Sequence, residues 1–113
     1  MRIGLPREIK NHEYRVALSP EGVRELTAAG HEVRVERGAG AATGFADAAY
    51  RAAGARIAES PMAAWNADLV VKVKEPQAAE LERMRPDTLL FCYLQLAADP
   101  ELAVALAARG VVA

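Results

Sequence analysis

The sequence predicts an α/β fold: an open parallel sheet with helices on both faces. Three observations lead there. Short apolar runs rich in β-branched residues alternate with helical patterns roughly five times along the chain. Several of the helical patterns open on a Ser-Pro or Asp-Pro pair and close on glycine or proline. The connections are short, and parallel strands joined through helices cross over right-handed.

The elements follow in order. Residues 2–5 form a first strand, followed by a charged connection over 6–18 whose part from Arg7 to Glu13 reads as a solvated segment. Ser19-Pro20-Glu21 starts a helix with a Ser N-cap, Pro in the first turn and an acid beside it, and Gly30 stops it. Val23, Leu26 and Ala29 share one face. Residues 31–36 alternate as a second strand through Val33 and Val35. A glycine-rich loop over 38–44 leads to a short helix that Asp47 can cap and Gly54 ends. Residues 56–58 are a weak third strand. Ser60-Pro61 opens a third helix that carries Met62, Trp65 and Ala67 inward or partly so.

The fourth strand, over 69–74, contains Leu69, Val70, Val71 and Val73, yet carries Lys72 and Lys74 before Glu75-Pro76 stops it. An ammonium beside an apolar sheet costs several kcal/mol, roughly, unless it is paired or opens onto a cleft. A strand ending in lysine therefore reads as built to present Lys74, with Lys72 of the same parity one step deeper in support. An amphipathic helix over 77–85 carries Ala78, Leu81 and Met84, and an apolar strand over 88–94 follows it. Asp99-Pro100-Glu101 begins a last helix, and residues 111–113 begin another strand. The architecture expected is a three-layer Rossmann-like or flavodoxin-like sheet, incomplete at its C-terminus, and the sequence reads as a partial polypeptide.

Bulk properties narrow the function. A chain of 113 residues supports one domain, residues 1–113, and is short for an enzyme with its own cofactor site. A formal charge of −1 with mixed signs gives no basic field, which argues against a nucleic-acid module. No apolar run approaches the ~20 residues that span a bilayer, and the N-terminus lacks a signal-peptide pattern. One cysteine, Cys92, lies in an apolar run and reads as a reduced core residue. The expectation is a cytoplasmic protein that engages neither membrane nor nucleic acid.

Ligands of open parallel sheets bind where loops leave the carboxyl ends of strands. Three polar groups stand at such ends: Arg15 after the first strand, Lys74 closing the fourth and Gln95 beyond the fifth. The bland alternative makes Arg15 a solvated loop residue and Lys74 a surface terminus. Gly38-x-Gly40-x-x-x-Gly44 departs from a dinucleotide fingerprint, because Thr43 stands where a glycine is wanted, so a structural loop is expected. His12 and His31 lack partners at metal-ligand spacing, and no metal is expected. Asp47, Asp68 and Asp99 read as caps or turn formers.

The opening Met-Arg-Ile-Gly-Leu-Pro-Arg-Glu-Ile-Lys-Asn-His-Glu-Tyr-Arg-Val-Ala-Leu-Ser-Pro resembles the N-terminal signature of the alanine dehydrogenase and proton-translocating transhydrogenase family. Gly-His-Glu-Val at 30–33, Gly-Ala-Gly at 38–40, Gly-Phe-Ala-Asp at 44–47, Leu-Val-Val-Lys-Val-Lys-Glu-Pro at 69–76 and Phe-Cys-Tyr-Leu-Gln-Leu-Ala at 91–97 are similar too. The resemblance covers the whole chain and favours the alanine dehydrogenase branch. It implies the substrate-binding N-terminal domain of an oxidoreductase that converts L-alanine to pyruvate and ammonia with NAD. It also implies a homo-oligomer, a hexamer in the family, and a NAD-binding Rossmann domain outside these residues. Arg15 would hold the substrate carboxylate and Lys74 would polarise the substrate. The family's acid/base histidine falls at Gln95, whose amide cannot exchange a proton near neutral pH. The isolated 113 residues are expected to be inactive. Competing readings are the corresponding part of a transhydrogenase α subunit, a degenerate module binding a small carboxylate or a partner chain, and an unrelated flavodoxin-like module.

Overall fold

The computed structural model of the chain describes residues 1–92. Within them lie five strands, β1 (Arg2–Leu5), β2 (Glu32–Glu36), β3 (Arg56–Ala58), β4 (Leu69–Val71) and β5 (Leu89–Phe91), and four helices, α1 (Pro20–Ala28), α2 (Asp47–Ala52), α3 (Pro61–Trp65) and α4 (Ala78–Leu81). The five strands form one sheet in the order β3-β2-β1-β4-β5, every neighbouring pair parallel. This is the expected α/β architecture.

Strand alternation divides the core in two. On one face Ile3, Leu5, Val33 and Val35 pack with Val23 of α1 and Tyr50 of α2. On the other, Val70 and Leu90 pack with Trp65, Ala67 and Met84, under α3 and α4. The sheet is thus covered on both faces, as its apolar strands require. The glycine of β1 permits the closeness of one cover. A Cβ on Gly4 would stand 1.9 Å from the carbonyl oxygen of Ala64, so α3 rests directly on the β1 backbone.

Local chemistry fixes most ends. The hydroxyl of Ser19 accepts the N–H of Gly22 at 3.2 Å, and that of Ser60 accepts the N–H of Ala63 at 3.3 Å. Both serines cap helices with proline in the first turn, as expected. Asp68 is a tie between strands: its carboxylate accepts the N–H of Arg2 at 2.8 Å. Asp47 is not a cap. Ala46 holds that position, and the Asp47 carboxylate instead accepts the N–H of Gly38 at 2.9 Å, closing the glycine-rich loop.

Other expectations need correction. Met62 points outward at 55 % exposure, while Trp65 and Ala67 are buried. On the Val23–Leu26–Ala29 face only Val23 is fully buried. Helix α4 is one turn long and not the span 77–85: Arg83 and Met84 donate to residues three back, and Pro86 bars α conformation before it. Its capping box joins Gln77 and Glu80, and Glu80 is fully buried. In β5 only Leu90 faces a core; Phe91 is 70 % exposed among the described residues. β4 ends at Val71, three residues short of the expected 74: the Lys72 N–H still donates to the Phe91 carbonyl, but Glu8 takes the N–H groups of Val73 and Lys74. The last expected helix and strand, with Gln95 and Asp99, lie outside the described residues.

Candidate active site

The order β3-β2-β1-β4-β5 reverses direction between β1 and β4. After β1 the chain moves outward through β2 and β3, then returns to place β4 on the other side of β1. At such a switch point the two loops leaving the carboxyl ends part and open a crevice. Here those loops are residues 6–18 and the segment following Val71. Arg15 belongs to the first and Lys74 to the second, and both line one cleft of about 370 Å³ together with Lys10, His12, Glu13 and Tyr14. The structure thus brings together two of the three groups placed at strand ends by the sequence. Gln95 lies outside the described residues.

Within the segment 7–13, Arg7, Ile9, Asn11 and His12 are exposed as expected of a solvated loop, but Glu8 is buried. The carboxylate of Glu8 turns inward and accepts three hydrogen bonds from the segment that follows β4. They come from Nζ of Lys72 at 2.9 Å, the N–H of Val73 at 2.9 Å and the N–H of Lys74 at 3.1 Å. Lys72 also donates to the carbonyl of Lys74 at 2.7 Å and lies 3.5 Å from Glu80. The Lys72, Glu8 and Glu80 side chains are essentially buried. Burial pushes the Glu80 carboxyl above its ordinary value, the Lys72 charge only partly opposing it. Lys72 therefore supports Lys74 through the backbone, clamping the turn from which Lys74 projects.

Glu13 makes a local pair at the cleft. Its side chain is 5 % exposed and pairs side-on with Arg15, Nε to Oε2 at 3.0 Å and Nη2 to Oε1 at 2.9 Å. The Arg15 N–H adds a third bond to Oε2 at 2.9 Å. These bonds, with the nearby charge of Arg15 and Lys74, hold the Glu13 carboxyl at about 2. The same pairing raises the Arg15 guanidinium. Lys10 of the cleft pairs with Glu75, whose carboxyl is lowered by that ammonium. The loop is anchored at its far end, where the buried Tyr50 hydroxyl donates to the carbonyl of Leu18 at 2.7 Å. Burial pushes that hydroxyl up to about 12.

Sequence reasoning missed Glu8, Glu13 and Glu80. One signal was present: an ammonium inside an apolar run demands a carboxylate. Which carboxylate supplies it depends on a contact 64 residues away.

The glycine-rich loop is structural. The N–H groups of Gly38, Ala39, Ala41, Thr43, Gly44 and Phe45 all donate within the loop or to its immediate neighbours. A Cβ on Gly40 would strike Phe45 and Tyr50 at under 3 Å, so this glycine serves packing. The loop does not fit a dinucleotide phosphate. Among the described residues no group of three or more His, Cys, Asp or Glu is placed to hold a metal ion, and no helix is long and apolar enough to cross a membrane.

Fold and cleft together define a parallel α/β domain with a cation-lined crevice at its switch point. Residues 4–113 match the family described as alanine dehydrogenase/PNT, N-terminal domain, and the chain belongs to that family. It is 53 % identical over 113 residues to the alanine dehydrogenase of Bacillus subtilis, covering all of this chain and 30 % of that protein. It is 50 % identical over 111 residues to the alanine dehydrogenase of Halomonas elongata, covering 97 % of this chain and again 30 % of the relative. A solved L-alanine dehydrogenase superposes with a TM-score of 0.97 at 52 % identity, over 98 % of this chain and 31 % of that one. A transhydrogenase from Sinorhizobium meliloti superposes at 0.93 with 32 % identity, over 98 % of this chain and 33 % of that one. The chain thus spans under a third of the length of the curated relatives it matches.

Proposed function

We propose that residues 1–113 are the substrate-binding domain of a NAD-dependent alanine dehydrogenase that converts L-alanine to pyruvate and ammonia. One observation carries this: Arg15 and Lys74, from loops on opposite sides of the switch point, line the same cleft. A guanidinium pairs a carboxylate through two parallel bonds, and an ammonium beside it stabilises charge developing on a carbonyl oxygen. In this reading Arg15 holds the substrate carboxylate and Lys74 polarises the reacting carbon's oxygen. NAD supplies a hydride acceptor when bound, and its site belongs to residues outside the described domain. Family likeness supports a homo-oligomer in the cytoplasm.

A second reading rests on Gln95. At the position of the family's histidine it offers no proton near neutral pH, which favours the transhydrogenase branch or a domain that binds a small carboxylate without turning it over.

The test is pyruvate binding by the full-length protein. Arg15→Ala and Lys74→Ala are each expected to weaken it roughly tenfold or more, the scale of a lost charge-assisted hydrogen bond. Unchanged affinity in both variants would discard the carboxylate site.

A further inference from the structure

The cations of the cleft are Lys10, Arg15 and Lys74. Two of them are matched by carboxylates: Lys10 pairs with Glu75, and Arg15 with Glu13. Among the described residues three cations against two carboxylates leave one positive charge at the cleft, and Lys74 carries it. We propose that Glu13 is a specificity-determining residue that sets this single net charge and thereby selects monocarboxylates over dicarboxylates.

The inference rests on the carboxylate-binding role given above to Arg15 and Lys74. Glu13 occupies the Nε–Nη2 edge of the guanidinium and leaves Nη1 and the outer hydrogen of Nη2 outside that pair. A ligand carboxylate meeting the remaining edge cancels the last positive charge. A second carboxylate on the same ligand then has no cation of its own and lies near Glu13. Its partner Arg15 is 65 % exposed, so the pair lies at the surface and salt screens the charge of Glu13 in part. Its carboxyl, held at about 2, stays ionised across the working range of an enzyme. Discrimination thus comes from a repulsive group built beside the attractive one.

The experiment measures, in the full-length protein, dissociation constants for pyruvate and for the 2-oxo dicarboxylates oxaloacetate and 2-oxoglutarate. The readout is the dicarboxylate-to-monocarboxylate ratio, which loss of structure alone does not move. Glu13→Gln keeps the shape and one acceptor for Arg15 while removing the charge. It is expected to shift the ratio about three- to fivefold toward dicarboxylates, the scale of one partly screened charge. Glu13→Asp keeps the charge and is expected to stay within about twofold of wild type. Tyr14→Lys, at a cleft side chain 62 % exposed, adds the same unit of charge with Glu13 intact and is expected to shift the ratio in the same direction. It decides the matter if Glu13→Gln does not fold. An unchanged ratio in folded Glu13→Gln or Tyr14→Lys, or an equal shift in Glu13→Asp, overturns the proposal. Arg15→Ala binding pyruvate as tightly as wild type overturns the carboxylate site itself, a separate result.

Discussion

Nζ of Lys72 lies 2.9 Å from Oε1 of Glu8, both side chains nearly inaccessible to water, across 64 residues of sequence. The pair joins the loop leaving β1 to the turn leaving β4, the two walls of the switch-point cleft. Lys72 donates to Glu8 and to the Lys74 carbonyl and lies within ion-pair distance of Glu80. Such a buried charge cluster is not a large net source of stability, because desolvation offsets much of the attraction. Its effect is to fix where the backbone of Lys74 runs.

Removing one member leaves the others buried without compensation. Lys72→Met is expected to cost ~3–5 kcal/mol in urea unfolding at neutral pH. Adding Glu80→Gln to it should recover part of that loss, by about 1 kcal/mol, since one stranded carboxylate disappears. A single Lys72→Met variant as stable as wild type would show that the cluster is not closed in solution.

Gly4→Ala tests how closely α3 rests on the sheet. The new methyl carbon would meet the Ala64 carbonyl oxygen at 1.9 Å, a backbone atom with no rotamer to escape through. The helix must lift from β1, and overpacking of this kind costs roughly 1–3 kcal/mol or more. Thermal melting of the variant should show a clear drop in Tm. No drop would mean that α3 packs at a greater distance.

The acids whose carboxyls are shifted give stability a pH dependence of known sign. Glu13 is held at about 2 by Arg15, against an ordinary 4.5, and Glu75 and Asp68 are lowered by Lys10 and by the N–H of Arg2. Folding favours their ionised forms, so their contribution is complete above the ordinary carboxylate range and is lost as pH falls through their lowered values. Glu80 runs oppositely: burial raises it, folding favours the protonated form, and that contribution, complete below the ordinary carboxylate range, is lost as pH rises through the raised value. Tm should therefore fall between about pH 4.5 and 2, less steeply in Glu13→Gln. Glu80→Gln should gain on wild type as pH rises above the ordinary carboxylate range. A wild-type Tm flat down to about pH 2.5 would contradict the Arg15–Glu13 pairing.

What the residues disclosed and what they withheld follow from the range of each interaction. Local signals were readable: Ser19 and Ser60 as caps before proline, Val33 and Val35 alternating in β2, Gly54 closing α2 in the left-handed region at φ 97°. Arg15 and Lys74 were legible as strand-end groups because a parallel sheet aligns all its carboxyl ends. Their meeting depends on β4 pairing with β1, which no local pattern encodes. Glu8 and Glu13 looked like ordinary members of a charged run, since composition does not say which acids turn inward. The true end of β4 was hidden for the same reason: Val73 and Lys74 give their N–H groups to Glu8 instead of a neighbouring strand.

Gln95 offers the last prediction, and the chemistry of its side chain alone carries it. An amide donates and accepts hydrogen bonds but does not gain or lose a proton near pH 7, whereas an imidazole does both. If the domain belongs to an alanine dehydrogenase that works through a proton transfer at this position, Gln95→His in the full-length protein should raise kcat for alanine-dependent NAD reduction by roughly 10²–10⁴. The change should bring in a pH dependence with a midpoint near the imidazole range, about 6–7, that the natural protein lacks. KM for alanine should change little, because Arg15 and Lys74 remain in place. High activity with Gln95 untouched would remove acid/base chemistry from this position. Inactivity of both forms, with pyruvate still bound through Arg15, would favour the reading as a binding domain.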